Sequence, residues 1–521
     1  MSELGLTWLD IGMFVAFFGV VISVSMYKSR KGETSEDFFL AGRGLTWPFI
    51  GLSLIAANIS TEQFVGMSGQ GAGGAGLAIA SYEWLAAVTL VIVAMFFLPR
   101  FLRSGIFTIP EYLEYRYNSA ARSIMAFYTM VIYVGVTIAA VLYSGGLTLQ
   151  TLFGNLEDPS HLLIGVWVIG GIAGLYTVWG GLKAVAWADL FQGSALLIGG
   201  FITMILGFQA VGGVGNFFEV NADKLHMILP RDHSVLPWTA LLIGLHIPNF
   251  YYWGLNQYIT QRTLAAKTLR QGQLGVIFAA SLKLIVPFVI VFPGIMAYQL
   301  YGDQMSGTGG TDAAYPLLIR NLVGPGVRAF VFAAISGAVI SSLASMLNSA
   351  STIFTMDLVK RHLTPGASHR GLIWTGRIST VVFVLVGCLI APKLGDSSFK
   401  GIFTYIQEFK GYISPGILSV FVFGMVFKKA PAVAGVTGLL LSVPVYGFLQ
   451  WQFGGIAFLN RMAITFAVIL AIMYLITLIK PLREPKLMPV REDFDMTISR
   501  SVKWMGSVVI LITVAFYIIF W

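Results

Sequence analysis

Apolar residues fall along the chain in long, almost unbroken runs separated by short polar stretches. Fourteen such runs predict helices, over roughly residues 9–26, 48–69, 77–98, 121–153, 162–179, 188–211, 238–259, 274–301, 327–358, 372–391, 401–427, 433–449, 462–479 and 504–521. A helix needs about 20 apolar residues to cross a hydrocarbon core ~30 Å thick. Strands of a membrane barrel would be about ten residues of alternating polarity, so most of these runs are too long and too uniform for them. The predicted fold class is an all-α integral membrane protein with 14 transmembrane helices.

Two runs break the pattern. The second carries the polar stretch Asn58-Ile59-Ser60-Thr61-Glu62-Gln63 where the bilayer midplane should be. The seventh carries His246-Ile247-Pro248-Asn249, and Pro248 removes a backbone donor and clashes with the carbonyl four residues back. Each alone is explained equally well by a kink or a polar stripe between packed helices. Their spacing says more. They open two successive groups of five spans, and an odd number of spans inverts the second group in the membrane. Interrupted helices at matching places in two inverted halves point to a midplane binding site in a secondary transporter. The expected division is an extra helix and loop (1–47), a first five-helix repeat (48–211), a second (212–427) and three accessory helices (428–521). No residue-level similarity between the halves supports it; it rests on topology.

Composition closes off the alternatives. Of 521 residues, 56% are hydrophobic and only 11% charged, against about 25% charged in a soluble protein. A cytosolic enzyme, a secreted domain and a disordered scaffold are excluded. A single cysteine, Cys388, allows no internal disulfide and no Cys/His zinc spacing. No basic residue precedes the first apolar run and no small-x-small pattern follows it, so the N-terminus reads as a span and not a cleaved signal.

The net charge of +9 marks orientation, not nucleic acid. Seven of the 33 Lys and Arg residues fall in the even-numbered loops: Lys224, Arg231, Arg320, Arg328, Lys393, Lys400 and Arg461. Lys283 and Lys410 fall inside spans, and the other 24 lie in the odd-numbered loops. Cations concentrate on the cytoplasmic side, which places both termini outside.

Charges inside spans are expensive and suggest function. Glu83 in the third span and Lys283 in the eighth could simply pair to hold two helices together. The functional reading is a site for a polyhydroxylated solute, since carboxylate accepts from hydroxyls, ammonium donates to them, and Asn58, Asn249 and Gln407 do both. In the ninth span Ala338, Ser341, Ser342 and Ser345 share one helical face. Serines there either pack against a neighbour or offer oxygens to a monovalent cation, beside carbonyls freed at Ala56 and Ile59. Ca²⁺ would want a cage rich in carboxylates. The run Gly69–Gly74 satisfies G-x-G-x-x-G but follows a membrane helix and not a strand, so dinucleotide binding is discarded. His246 reads as a packing residue.

Six segments carry a resemblance over almost the whole length: AANISTEQF (56–64), ASYEW (80–84), GGLKA (180–184), YYWGLNQY (251–258), SSLASMLNS (341–349) and YIQE (405–408). On them the chain resembles the sodium:solute symporter family, in its bacterial sodium/galactose–glucose branch. The resemblance implies a leucine-transporter-type inverted repeat and a sodium-coupled symporter of the bacterial inner membrane, with no cofactor beyond the coupling ion. It implies sodium at Ala56, Ile59, Ala338, Ser341 and Ser342, and sugar contacts at Asn58, Gln63, Glu83, Asn249, Lys283 and Gln407. It further implies an inner gate at Tyr252, outer gates at Met67, Tyr82 and Phe403, and Asp189 on the sodium exit path. Ala86 stands where the galactose-transporting relative has a serine, which removes one sugar contact. Ala344 replaces the threonine of two-sodium relatives although Ser345 and Asp189 are kept, so one sodium per sugar is expected. Myo-inositol, sialic acid and amino acids remain alternative cargoes. A non-transporting sugar sensor would share every binding residue.

Overall fold

The structure is a computed structural model that describes residues 8–29, 34–60, 62–153, 159–306, 310–324, 326–395, 402–492, 495–497 and 499–521. Among the described residues it is all-helical; Leu45 and Ala266 form one isolated bridge and no strand occurs. In chain order the helices used below are α1 (Trp8–Ser29), α2 (Ser35–Leu40), α3 (Trp47–Asn58), α4 (Ser68–Ala72), α5 (Ser81–Ile92) and α6 (Pro159–Ala210). They continue as α7 (His246–Phe250), α8 (Gln257–Leu264), α9 (Leu269–Tyr301), α10 (Val327–Ile353), α11 (His369–Ile390) and α12 (Ile402–Val426).

Eleven helices among the described residues are long and apolar enough to cross a membrane. The other three expected spans depart from a simple rod. The second is split, the seventh is built of short pieces, and the fifth (Ser160–Leu175) is shorter and runs on into the sixth within α6. Gly181 makes the turn inside α6 at φ 54°, ψ −157°. A Cβ there would lie 2.4 Å from the Phe38 carbonyl oxygen, so both conformation and close approach call for glycine.

The centre of the bundle is α10. Its small residues, Gly337, Ala338, Ser341, Ser342, Ala344 and Ser345, let neighbouring backbones come close. It packs along α6, and α1 lies against both. Several cations assigned to loops from the sequence are buried instead. Arg43 donates to the carbonyls of Gly105 and Ile106 (3.0 Å each) and Leu264 (3.1 Å). Arg116 does the same for Gly424 (2.7 Å), Phe427 (2.5 Å) and Ala430 (3.2 Å). The last carbonyls of a helix lack intrahelical partners, and a guanidinium satisfies several at once.

Candidate functional site

The site begins with two breaks. Helix α3 ends when Ile59 turns extended (φ −78°, ψ 104°), and the chain resumes as a π turn over Glu62–Met67 leading into α4. In the seventh run the break is at Asn256 (φ −82°, ψ 120°), between a π turn over Tyr251–Leu255 and α8. The sequence placed that break at Pro248. Pro248 instead sits inside the one-and-a-half-turn helix α7, which a π turn over Ala240–Gly244 precedes.

Freed backbone follows from the first break. The Ser60 N–H would ordinarily bond the Ala56 carbonyl; it donates to Gln63 Oε1 at 3.0 Å instead. The hydroxyl of Ser342 on α10 reaches across to the carbonyls of Ala57 (3.0 Å) and Ala56 (3.3 Å). Ser341 donates to Asp189 Oδ1 on α6. Ala338 and Ile59 are buried.

Asp189 is the hub of a buried network. It accepts from Ser341, from Ser53, and from Arg262 Nη2 at 2.8 Å; Arg262 also donates to Ser53 Oγ (2.5 Å) and to Ser345. Both Asp189 and Arg262 are wholly buried. The sequence put Arg262 in a loop; it belongs to this network, because the broken seventh helix carries α8 into the core. Ser53 was missed too, since a lone serine in an apolar run has no distinguishing signal.

The second cluster surrounds a cavity of about 40 Å³. Asn58, Gln63, Met67, Tyr82, Glu83, Asn249, Tyr252 and Gln407 all line it, with Pro248, Trp253 and Lys410. Lys283 is fully buried and donates to both Glu83 Oε2 and Asn58 Oδ1, while Asn58 Nδ2 donates to the Tyr252 hydroxyl at 3.0 Å. The Lys283 ammonium also lies 4.9 Å from the Trp253 ring centroid, and that of Lys410 5.3 Å from Tyr252. Asn249 Nδ2 is buried without a hydrogen-bond partner among the described residues, a donor aimed at the cavity wall that a bound acceptor would satisfy. Forty cubic ångströms has room for water but falls far short of the ~300–1,000 Å³ of a small-molecule pocket. Phe403 falls in the first turn of α12, but its side chain lies outside the described residues.

Beyond α4 two titratable groups outside the spans flank the cluster. Lys224 donates to the last carbonyls of that segment, Ala72 (2.9 Å) and Gly73 (2.8 Å), and burial lowers its pKa. Asp312 lies where a Cβ on Gly69 would meet its Oδ1 at 2.6 Å, and burial pushes its carboxyl up to about 7.

Comparison with known proteins agrees with this arrangement. The sodium:solute symporter family model matches residues 38–441. The chain is 40% identical to the sodium/glucose cotransporter of Vibrio parahaemolyticus over 100% of its own length and 99% of that protein's. It is 34% identical to sodium/myo-inositol cotransporter 2 of Sus scrofa, over 83% of this chain and 68% of that one. In fold it matches a solved Na⁺-coupled sialic acid symporter with a TM-score of 0.81 at 22% identity, covering 93% of this chain and 99% of the other. These relatives are transporters and not enzymes. The chain is therefore a multi-pass membrane protein that belongs to the sodium:solute symporter family.

Proposed function

We propose that the protein imports a neutral monosaccharide of the glucose/galactose type, one sodium ion per sugar, by alternating access. The observation that carries this reading is the cavity itself. A buried ammonium, a carboxylate and several amides converge on one small space, the mixture that hydroxyl recognition requires. The full-length likeness to a sodium/glucose cotransporter supports it. In this reading Asn58, Gln63, Glu83, Asn249, Lys283 and Gln407 bind sugar, and Met67, Tyr82 and Phe403 close the outer side.

Sodium takes the carbonyls of Ala56, Ile59 and Ala338 with the hydroxyls of Ser341 and Ser342. The Ser342 hydroxyl already bonds the Ala56 and Ala57 carbonyls, so an ion there would exchange that bond for shared coordination. Asp189 lies on the exit path. Arg262 holds the place between Asp189 and Ser345, and its positive charge favours a single sodium. The matched breaks at Ile59 and Asn256 support inverted repeats over 48–211 and 212–427, flanked by the extra segment 1–47 and accessory helices 428–521. The cation bias of the loops supports both termini outside, and the likeness to a bacterial cotransporter supports an inner-membrane setting. Sodium stabilises the sugar-competent state, sugar binds, the outer residues close, and Tyr252 then releases both inward; coupling requires sodium to bind that state better than its alternative.

A second reading changes the cargo. Lys410 puts a second cation against the cavity beside the Lys283–Glu83 pair, which favours a carboxylated sugar. Uptake of a labelled panel of hexoses, myo-inositol and a sialic acid into proteoliposomes, with and without an inward sodium gradient, separates the two. Sodium-driven hexose uptake supports the first reading; preference for the sugar acid replaces it with the second.

A further inference from the structure

A separate cavity of about 330 Å³ opens beside the Gly180–Gly181 turn of α6, between that turn and helices α1, α2 and α11. Two cations line it, Lys183 from the turn and Arg377 from α11. Among the described residues neither has a carboxylate within ion-pair distance. Among the described residues the hydrogen bond of Arg377 is from its Nε to the Val178 carbonyl, at 3.0 Å. Asp37, the one acidic residue in the wall among the described residues, is already engaged as a helix cap, accepting from the Thr34 N–H (3.2 Å) and hydroxyl (2.8 Å).

The mouth of this cavity has the marks of the lipid–water boundary. Trp179 is 57% exposed and Trp374, 5.2 Å below the Arg377 guanidinium, is 60% exposed. Tryptophan rings concentrate at the headgroup level, and lysine and arginine extend along apolar walls to hold their charge there. Basic pockets between membrane helices bind acidic head groups.

We propose that this cavity binds the head group of an anionic phospholipid of the phosphatidylglycerol class. The phosphate diester sits between Lys183 and Arg377, and a glycerol hydroxyl donates to Asp37. Among the described residues two cations against one carboxylate leave the wall with one positive charge in excess, which matches a singly anionic head group better than a zwitterionic one. The lipid adds a further tie between α6 and helices α1, α2 and α11, each of which already packs on α6.

The test is direct binding to the purified full-length protein by native mass spectrometry, with short-chain phosphatidylglycerol, phosphatidylcholine, phosphatidylethanolamine and soluble glycerol 3-phosphate as probes. Phosphatidylglycerol should bind more tightly than either zwitterionic lipid. Lys183→Gln and Arg377→Gln should each weaken it about fivefold, and Lys183→Arg should retain it. Arg377 also caps a helix carbonyl, so if its variant fails to fold, the Lys183 pair of variants decides alone. Equal binding of the three lipids, or an unchanged Lys183→Gln, overturns the proposal. Displacement of the lipid by glycerol 3-phosphate at comparable concentration also overturns it, in favour of a soluble phosphate.

Discussion

The hydroxyl of Ser342 lies 3.0 Å from the carbonyl oxygen of Ala57, joining an unbroken buried helix to the cut end of a broken one. A serine hydroxyl donates there in place of a backbone N–H, because the chain past Asn58 has left the helix. Any cation binding at this junction must draw on the same oxygens. Ser342→Ala should therefore raise the sodium concentration for half-maximal uptake by about tenfold or more, while maximal uptake at saturating sodium falls less. Uptake measured across a sodium titration checks this, and an unshifted sodium curve rules the junction out as the ion site.

Glu83 and Lys283 form a buried ion pair that also holds Asn58. Removing one member of such a pair leaves an uncompensated charge and destabilises by about 3–5 kcal/mol. Glu83→Ala should lower the unfolding temperature and abolish sugar uptake, with sodium binding retained. The double variant Glu83→Gln/Lys283→Gln should recover much of the stability without recovering uptake. Recovery of both would make the pair a mere helix clamp. Gln407→Ala should abolish uptake with little loss of stability.

Arg262 and Asp189 form another fully buried pair, 2.8 Å apart. Arg262→Ala strands a carboxylate among apolar helices and should destabilise by about 3–5 kcal/mol. Pairing it with Asp189→Asn should restore part of that loss. Lysine has no planar fork, so Arg262→Lys cannot serve Asp189, Ser53 and Ser345 together and should be intermediate. Thermal unfolding in one detergent ranks the three; equal stability of Arg262→Ala and wild type would remove the hub.

Asp312 supplies a pH dependence. Its carboxyl is raised to about 7 by burial, whereas in the unfolded chain it titrates near 3.9. Between those values the folded state holds the proton and the unfolded state does not, so this group lowers stability as pH rises from about 4 through 7. The Asp312→Asn variant should melt at a higher temperature than wild type at pH 8 and at the same temperature near pH 4. Equal differences at both pH values would exclude the mechanism.

Stoichiometry has an energetic readout. One charge crossing ~100 mV contributes about 2.3 kcal/mol and a tenfold sodium gradient about 1.4 kcal/mol. Tight one-to-one coupling would then hold a neutral sugar roughly 500-fold concentrated. Two ions per sugar would approach the square of that ratio. A plateau far above ~10³ in proteoliposomes at those gradients would reject the single ion.

Much of the architecture was legible from periodicity and composition. Long apolar runs with few charges admit only membrane helices, and Glu83 and Lys283 stood out because a charge in lipid demands a reason. Glu83 lines one cavity with Asn58, Asn249 and Gln407, a grouping that side-chain chemistry and the family resemblance suggest, and Lys283 joins it through its bonds to Glu83 and Asn58. Three things escaped. Arg262, Arg43 and Arg116 read as loop cations, because the sequence cannot tell a guanidinium facing water from one capping buried carbonyls. Ser53 looked like an ordinary residue of an apolar run. Pro248 reads as the second break, yet the chain stays helical through the proline and opens eight residues later, at Asn256.

Local sequence by itself determined that this chain crosses the membrane many times, and which runs could not stay continuous. Those properties depend on the transfer of single segments from water to lipid, and each segment carries its own answer. Tertiary structure alone decided where the breaks fall and which partner each exposed carbonyl and buried charge receives. Such pairings join residues far apart in the chain, such as Ala57 with Ser342 and Asp189 with Arg262, and they exist only once packing brings those helices within hydrogen-bonding reach.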